Sequence, residues 1–192
     1  IPMEQISKGN GESAVLSAYS SSVINLSNHF TTSLGITAQY FTLNKNWTVE
    51  PRAALKWTFN PKHALALAYG LHSRRERLDY YFVEQEVNGK TESNRYLNFS
   101  KAHHFGLTYD WNINSYMHLK VEPYYQYLFR IPVEENSSFS IINHQSFYLE
   151  RILKNRGSGV NYGIDITLEQ YMKNGFYYMI CLLYTSPSPR DS

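Results

Sequence analysis

The sequence predicts an all-β chain: an antiparallel up-and-down meander of about eight long strands, part of a transmembrane β-barrel. Three observations predict it. Segments longer than ordinary globular strands alternate between apolar and polar residues. Aromatic side chains collect at both ends of the apolar faces. Short and long connections follow one another in turn.

The first strands are the weakest. Residues 13–26 are Ser-rich and do not declare a face; residues 30–41 alternate through Leu34, Ile36, Ala38 and Tyr40. The pattern then sharpens at "WTVEPRAALKWTF", residues 47–59. One face reads Trp47, Val49, Pro51, Ala53, Leu55, Trp57 and Phe59. The other carries Glu50, Arg52 and Lys56 among small residues. "ALALAYGLH" (64–72) sets Leu65, Leu67, Tyr69 and Leu71 against Ala64, Ala66, Ala68, Gly70 and His72. "KAHHFGLTYDWNI" (101–113) sets Phe105, Leu107, Tyr109 and Trp111 against His104, Gly106, Thr108 and Asp110. "MHLKVEPYYQYLFRI" (117–131) runs Leu119, Val121, Pro123, Tyr125, Tyr127, Phe129 and Ile131 opposite Lys120, Glu122, Gln126 and Arg130. "VNYGIDITLE" (160–169) opposes Ile164 and Ile166 to Asp165 and Thr167, and a last strand begins near Phe176. A two-residue period held over such lengths means strands between two unlike environments.

A tilted strand crosses a bilayer in about 9–11 residues. Inside lipid every backbone donor and acceptor must be paired within the protein, so strands cross only as members of a closed barrel. The apolar face then meets lipid, and Glu50, Arg52, Lys56, Asp110, Lys120, Glu122 and Asp165 meet a wet lumen. Tight turns near 27–29, 60–62, 113–115 and 172–175 mark the periplasmic side; the longer connections 73–100 and 132–157, with a brief one at 42–46, mark the outer side. Trp57, Phe59, Tyr109 and Trp111 fall at the inner rim, and Trp47, Tyr125, Tyr127 and Phe129 at the outer rim, where amphipathic rings sit at headgroup level. Asn88-Gly89 makes the 73–100 connection a hairpin projecting outward. Pro51 and Pro123 each remove a ladder donor and predict a bulge or kink. The turn at 60–62 pairs residues whose numbers sum to about 122, so Lys56 faces Ala66 and Arg52 faces Gly70.

Composition bounds the function. The 192 residues suit one domain, and a net charge of +2 offers no basic field for nucleic acid. Charged residues are 18% and aromatics 16%, with 17 Tyr, yet the mean hydropathy is −0.44. No run of apolar residues is long enough for a spanning helix, and no signal peptide is legible. The chain begins at Ile1, which suits a fragment. The tail "CLLYTSPSPRDS" (181–192) breaks the pattern and resembles the translation of a transposase sequencing adapter. Domains are therefore read as 1–180, a partial outer-membrane barrel, and 181–192, a non-native tail. Cys181 is the only cysteine, so the natural part has none, which fits an oxidising envelope compartment.

"VEPRAALKWTFNPKHALALAYGLHS" (49–73), "NFSKAHHFGLTYDWNI", "VEPYYQYLFRIPVE" and "NRGSGVNYGIDITLEQY" together resemble a late barrel segment of TonB-dependent outer-membrane receptors. The resemblance spans most of residues 25–180. It implies a barrel of about 22 strands with a plug inside, of which this chain is one piece, left as an open curved sheet. It also implies energised uptake of a large or scarce nutrient across the bacterial outer membrane. The implied partners are outer-membrane lipid and lipopolysaccharide, the TonB complex through a plug not in this chain, a small-molecule, glycan or peptide ligand, and a surface lipoprotein. A passive porin-type barrel, or a soluble lipocalin-like protein with the apolar face turned inward, are the alternatives.

No catalytic, metal or cofactor site is expected. His103 and His104 are adjacent and face opposite ways in a strand, so they do not chelate one metal together. "GSGVNYG" (157–163) leads into a strand rather than a helix and lacks the context of a phosphate loop. "HSRRERLDYYF" (72–82) is the one loop segment with ligand-binding character. Arg74, Arg75 and Arg77 with Tyr80 and Tyr81 suit an anionic or aromatic ligand, or lipopolysaccharide phosphates, as well as a solvated hairpin stalk.

Overall fold

A computed structural model describes residues 13–87, 90–134, 139–141 and 151–190. The long alternating segments become β1 (Val15–Asn25), β2 (Phe30–Phe41), β3 (Asn46–Asn60), β4 (His63–Arg74), β7 (Ser100–Asn114), β8 (Met117–Val133), β9 (Lys154–Lys173) and β10 (Phe176–Arg190). They form one eight-stranded antiparallel sheet in the order β1-β2-β3-β4-β7-β8-β9-β10. β1 and β10 are its free edges among the described residues. The order departs from strict succession only because β5 (Glu84–Val87) and β6 (Lys90–Ser93) form a separate hairpin in the β4–β7 connection. Two short 3-10 turns, Leu78–Phe82 and Asn94–Tyr96, flank it. The Asn88-Gly89 turn itself lies outside the described residues.

The register bears out the pairing expected across the tight turn: Lys56 faces Ala66, Ala54 faces Ala68 and Arg52 faces Gly70. Facing residues of an antiparallel pair share a side of the sheet. Leu67 and Leu107 pair, Trp57 leads through Leu65 and Tyr109 to Val121 and Ile166, and Trp111 pairs with Leu119. These apolar residues share one side. Lys56 leads through Ala66 to Thr108, Asp110 pairs with Lys120, and Glu122 with Asp165 on the other. A cavity of about 470 Å³ opens on this polar side and is lined from six strands, β1 to β4, β7 and β8, so the polar side is the concave one. The apolar side is uncovered: Trp47 is 71% and Leu67 58% exposed. Lys56 and Arg52 are also exposed, as hydrated luminal side chains should be.

Aromatic rows close both rims. At the inner rim Trp57 packs on Phe30 and Phe59, and His63 stacks on Phe59, Tyr109 and Trp111. At the outer rim His103 stacks on Tyr69, Tyr127 and Phe129. Each histidine also meets a tyrosine hydroxyl of the neighbouring strand, His63 to Tyr109 at 2.8 Å and His103 to Tyr69 at 2.9 Å. The lipid-facing imidazoles thus keep a polar partner inside the girdle.

Of the bulge or kink expected at the prolines, the bulge is absent. Pro51 pairs with Ile36 in unbroken register, but the β3–β4 ladder ends at Arg52, one residue short of it. Pro123 pairs with Ile164, while the β7–β8 ladder skips from Gly106–Tyr124 to Tyr109–Val121 and resumes in the same register. A missing N–H opens the ladder without adding a residue. The irregularity of β8 sits instead at Arg130, whose φ is 55° and which the β8–β9 register skips. It accompanies the departure of Ile131 from the lipid-facing row; Ile131 is 3% exposed, not lipid-facing as its spacing implied.

β10 continues through residue 190 as a strand paired with β9. Cys181 faces Thr167 and Leu183 faces Asp165 on the luminal side.

Candidate functional site

Among the described residues, buried apolar side chains gather at the outer ends of the strands. Phe41, Tyr80, Tyr81, Val83, Leu97, Phe99 and Leu153 form one buried cluster. They come from the end of β2, the β4–β7 connection and the approach to β9, so the expected hairpin forms as β5–β6 while the residues flanking it fold back as a cap. The reason is apolar content. Projecting flanks would leave Tyr80, Tyr81, Val83, Leu97 and Phe99 in water, whereas folding back removes them from it. By strand alternation Phe41 stands on the luminal side, so the cap lies over the luminal ends of β2 and β3. Thr48 and Glu50 beneath it are 1% and 2% exposed.

Buried polar groups there are paired. Thr48 meets the Ser73 hydroxyl at 2.7 Å. Glu50 accepts from Gln39 Nε2 at 2.7 Å and lies 3.5 Å from the Arg52 guanidinium. Ser100 donates to Glu76 at 2.7 Å. Asparagines fasten the cap. Asn94, 1% exposed, donates to the Arg151 carbonyl and accepts from the Leu153 N–H, both at 2.8 Å. Asn155 accepts from the Asn98 N–H at 2.8 Å and donates to the Arg130 carbonyl at 2.8 Å. Asn44 reaches the Leu97 carbonyl at 2.8 Å. The described parts of three outer connections are therefore one folded body.

The five residues singled out in the sequence separate into two roles here. Tyr80 and Tyr81 are buried in the cap, 6% and 1% exposed. Tyr81 packs edge-on against Phe41 at 5.3 Å, and burial pushes its phenol above the ordinary range. Arg74, Arg75 and Arg77 are exposed and line one cavity of about 520 Å³ together with Phe41, Glu76 and Asp79. Arg75 lies over the Phe41 ring at 5.8 Å and Arg77 over Tyr80 at 5.4 Å. Arg77 also holds Asp79 at 2.9 Å. Arg75 thus rests on Phe41 and Arg77 on Tyr80, while Tyr81 packs beneath the edge of Phe41. Sequence reasoning missed Phe41, Asn94, Leu97, Phe99 and Leu153. Leu97 and Phe99, two residues apart in a polar stretch, were the one local sign of a folded connection.

An open sheet with an uncovered apolar side, girdles at both rims and an inward-folded outer cap has the architecture of part of a transmembrane β-barrel wall. Solved structures agree on the fold. The siderophore receptor PirA of Pseudomonas aeruginosa superposes with a TM-score of 0.70 at 11% identity, over 92% of this chain and 35% of that one. The ferric-catecholate import receptor Fiu of Escherichia coli gives 0.66 at 8% identity, over 93% and 29%. The FrpB iron transporter of Neisseria meningitidis gives 0.63 at 11% identity, over 91% and 26%. The chain thus spans about a third or less of the receptors it is similar to. No model of a known protein family and no curated protein sequence matches it.

Proposed function

We propose that the chain is barrel wall and outer cap of a TonB-dependent receptor in the bacterial outer membrane, which takes up a large or scarce nutrient. The observation that supports this best is the superposition on three receptors over more than nine-tenths of the chain. The energy coupling and the plug belong to polypeptide outside this segment. Those receptors are named for siderophores, a ferric catecholate and iron, so an iron chelate is the first cargo to try. The outer arginines Arg74, Arg75 and Arg77 are the proposed contacts to ligand or to lipopolysaccharide phosphates, with the buried Tyr80 under Arg77 and Tyr81 behind Phe41 as their support.

Residues 181–192 are proposed to stand where a native strand belongs. In support, Asp165 Oδ1 is buried without a hydrogen-bond partner and the residue opposite it is Leu183, where a luminal polar group would be expected. Longer sequence reads across this point test that proposal.

Uptake tests the receptor reading. The intact gene product, expressed in a Gram-negative host, should accumulate labelled iron chelate only while the proton-motive force and TonB are present. Uptake that survives loss of both would make the barrel a passive pore.

A further inference from the structure

We propose that the luminal wall carries an oxyanion-binding subsite built by Arg52, His72, His104 and Gln126, a conclusion that rests on the receptor reading and narrows its cargo to an anionic one. These side chains line the 470 Å³ cavity on the concave side. The arrangement follows from the register. Gly35, Arg52, Gly70, His104 and Gln126 lie in one row across β2, β3, β4, β7 and β8. Gly70 is what brings the basic side chains together. A Cβ there would stand 2.9 Å from His72 Nε2 and 3.7 Å from Arg52 Cγ, so the bare glycine lets the imidazole lie across the row beside the arginine stem. On its other side the His72 ring meets His104 edge to face at 4.6 Å. The result is a continuous arc: arginine stem, imidazole, imidazole.

The floor beside the arc is small. Ala54 and Ala68 line it, and a Cβ on Gly106 would touch nothing within 4 Å. Tyr124 and Gln126 bound the far side.

Charge sets this place apart. No carboxylate lines the cavity, whereas lower on the same wall cations are matched: Lys120 with Glu122 at 2.8 Å, His118 with Asp110 at 3.1 Å. Glu50 holds Arg52 at 3.5 Å, but it is buried under the cap and also takes Gln39, and the Arg52 side chain stays half exposed toward the cavity. An exposed guanidinium with five N–H donors, next to imidazole and amide donors, suits carboxylate, phosphate or another oxyanion. A free anion and an anionic group on a larger cargo share that chemistry. The subsite lies below the outer arginine cavity, so an anionic cargo would meet basic groups twice on its way inward.

The test is a titration of the intact detergent-solubilised polypeptide with labelled histidine, followed by NMR. Inorganic phosphate is the probe; zinc ions and a neutral sugar are the controls. Phosphate should shift the resonances of His72 and His104 saturably and leave the lipid-facing His63 and His103 still. Arg52→Ala should weaken the titration about tenfold or more, and Arg52→Lys should keep most of it. Arg52→Gln replaces the alanine variant if the latter loses the cold-gel mobility of a folded barrel. Zinc shifting the pair while phosphate does not would make it a cation site and overturn the proposal. Equal shifts at all histidines, or none, would do the same. Energised uptake plays no part in this titration, so the two readings fail separately. A phosphate-bearing and a phosphate-free form of one sugar distinguish a free anion from an anionic cargo group: tighter binding of the sugar phosphate than of phosphate alone identifies the cargo.

Discussion

Asn94 Oδ1 accepts the Leu153 N–H at 2.8 Å, joining residues 59 apart in the chain across the outer cap. The same side chain donates to the Arg151 carbonyl, so one buried amide completes a backbone pairing that no strand supplies there.

Replacing Asn94 by Leu strands a buried N–H and a carbonyl. The expected cost is about 2–3 kcal/mol of cap stability. Hydrogen exchange should accelerate in residues 94–99 and 151–155, with β3 and β8 unchanged. Uniform acceleration across the sheet would show that the cap is not a separate body.

Tyr81 gives the cap a pH limit. Burial raises its phenol above the ordinary 10.0. A group raised in the folded state lends its stability in full below the unfolded value and loses it as pH climbs through the folded one. The cap should therefore hold below pH 10 and loosen above it. The difference in phenolate absorbance between wild type and Tyr81→Phe should titrate above the bulk tyrosines. A difference that titrates with them would mean Tyr81 is solvated.

Gly157 packs under the Arg130 irregularity. A Cβ there would lie 2.5 Å from Val133 Cγ1 and 3.1 Å from the Ile131 carbonyl. Gly157→Ala should cost about 1–3 kcal/mol through overpacking, read by denaturant unfolding of the intact protein in lipid vesicles. Gly106→Ala, which meets nothing, should cost little there.

How much was legible follows from where the physics is local. Strand facing was legible because a period of two needs no partner: Leu67 and Leu107 declare lipid by their own neighbours, and the 60–62 turn set Arg52 against Gly70. The cap was not. Asn94 reads as an ordinary loop asparagine until Leu153 arrives from a distant segment, and Tyr80 and Tyr81 read as ligand contacts because nothing nearby says that Phe41 will cover Tyr81. The His72–His104 arc was hidden for the same reason, since the residue that permits it, Gly70, has no side chain to notice. Ile131 was misplaced because a backbone turn to positive φ at Arg130 has no residue signature.

Leu107→Arg should cost about 2–4 kcal/mol near mid-membrane, while Thr108→Arg, one residue on and luminal, should be nearly neutral. Equal costs in vesicle unfolding would deny the two faces their different surroundings.

The central claim is that the apolar face meets lipid and the polar face water. Spin labels placed singly at residues 64 to 68 and 105 to 108 of the bilayer-reconstituted protein test it most directly. Collision with oxygen should be high at 65, 67, 105 and 107, and collision with a water-soluble nickel chelate high at 64, 66, 68, 106 and 108. The opposite alternation would put the leucines inside and water outside, and the chain would then be a soluble barrel.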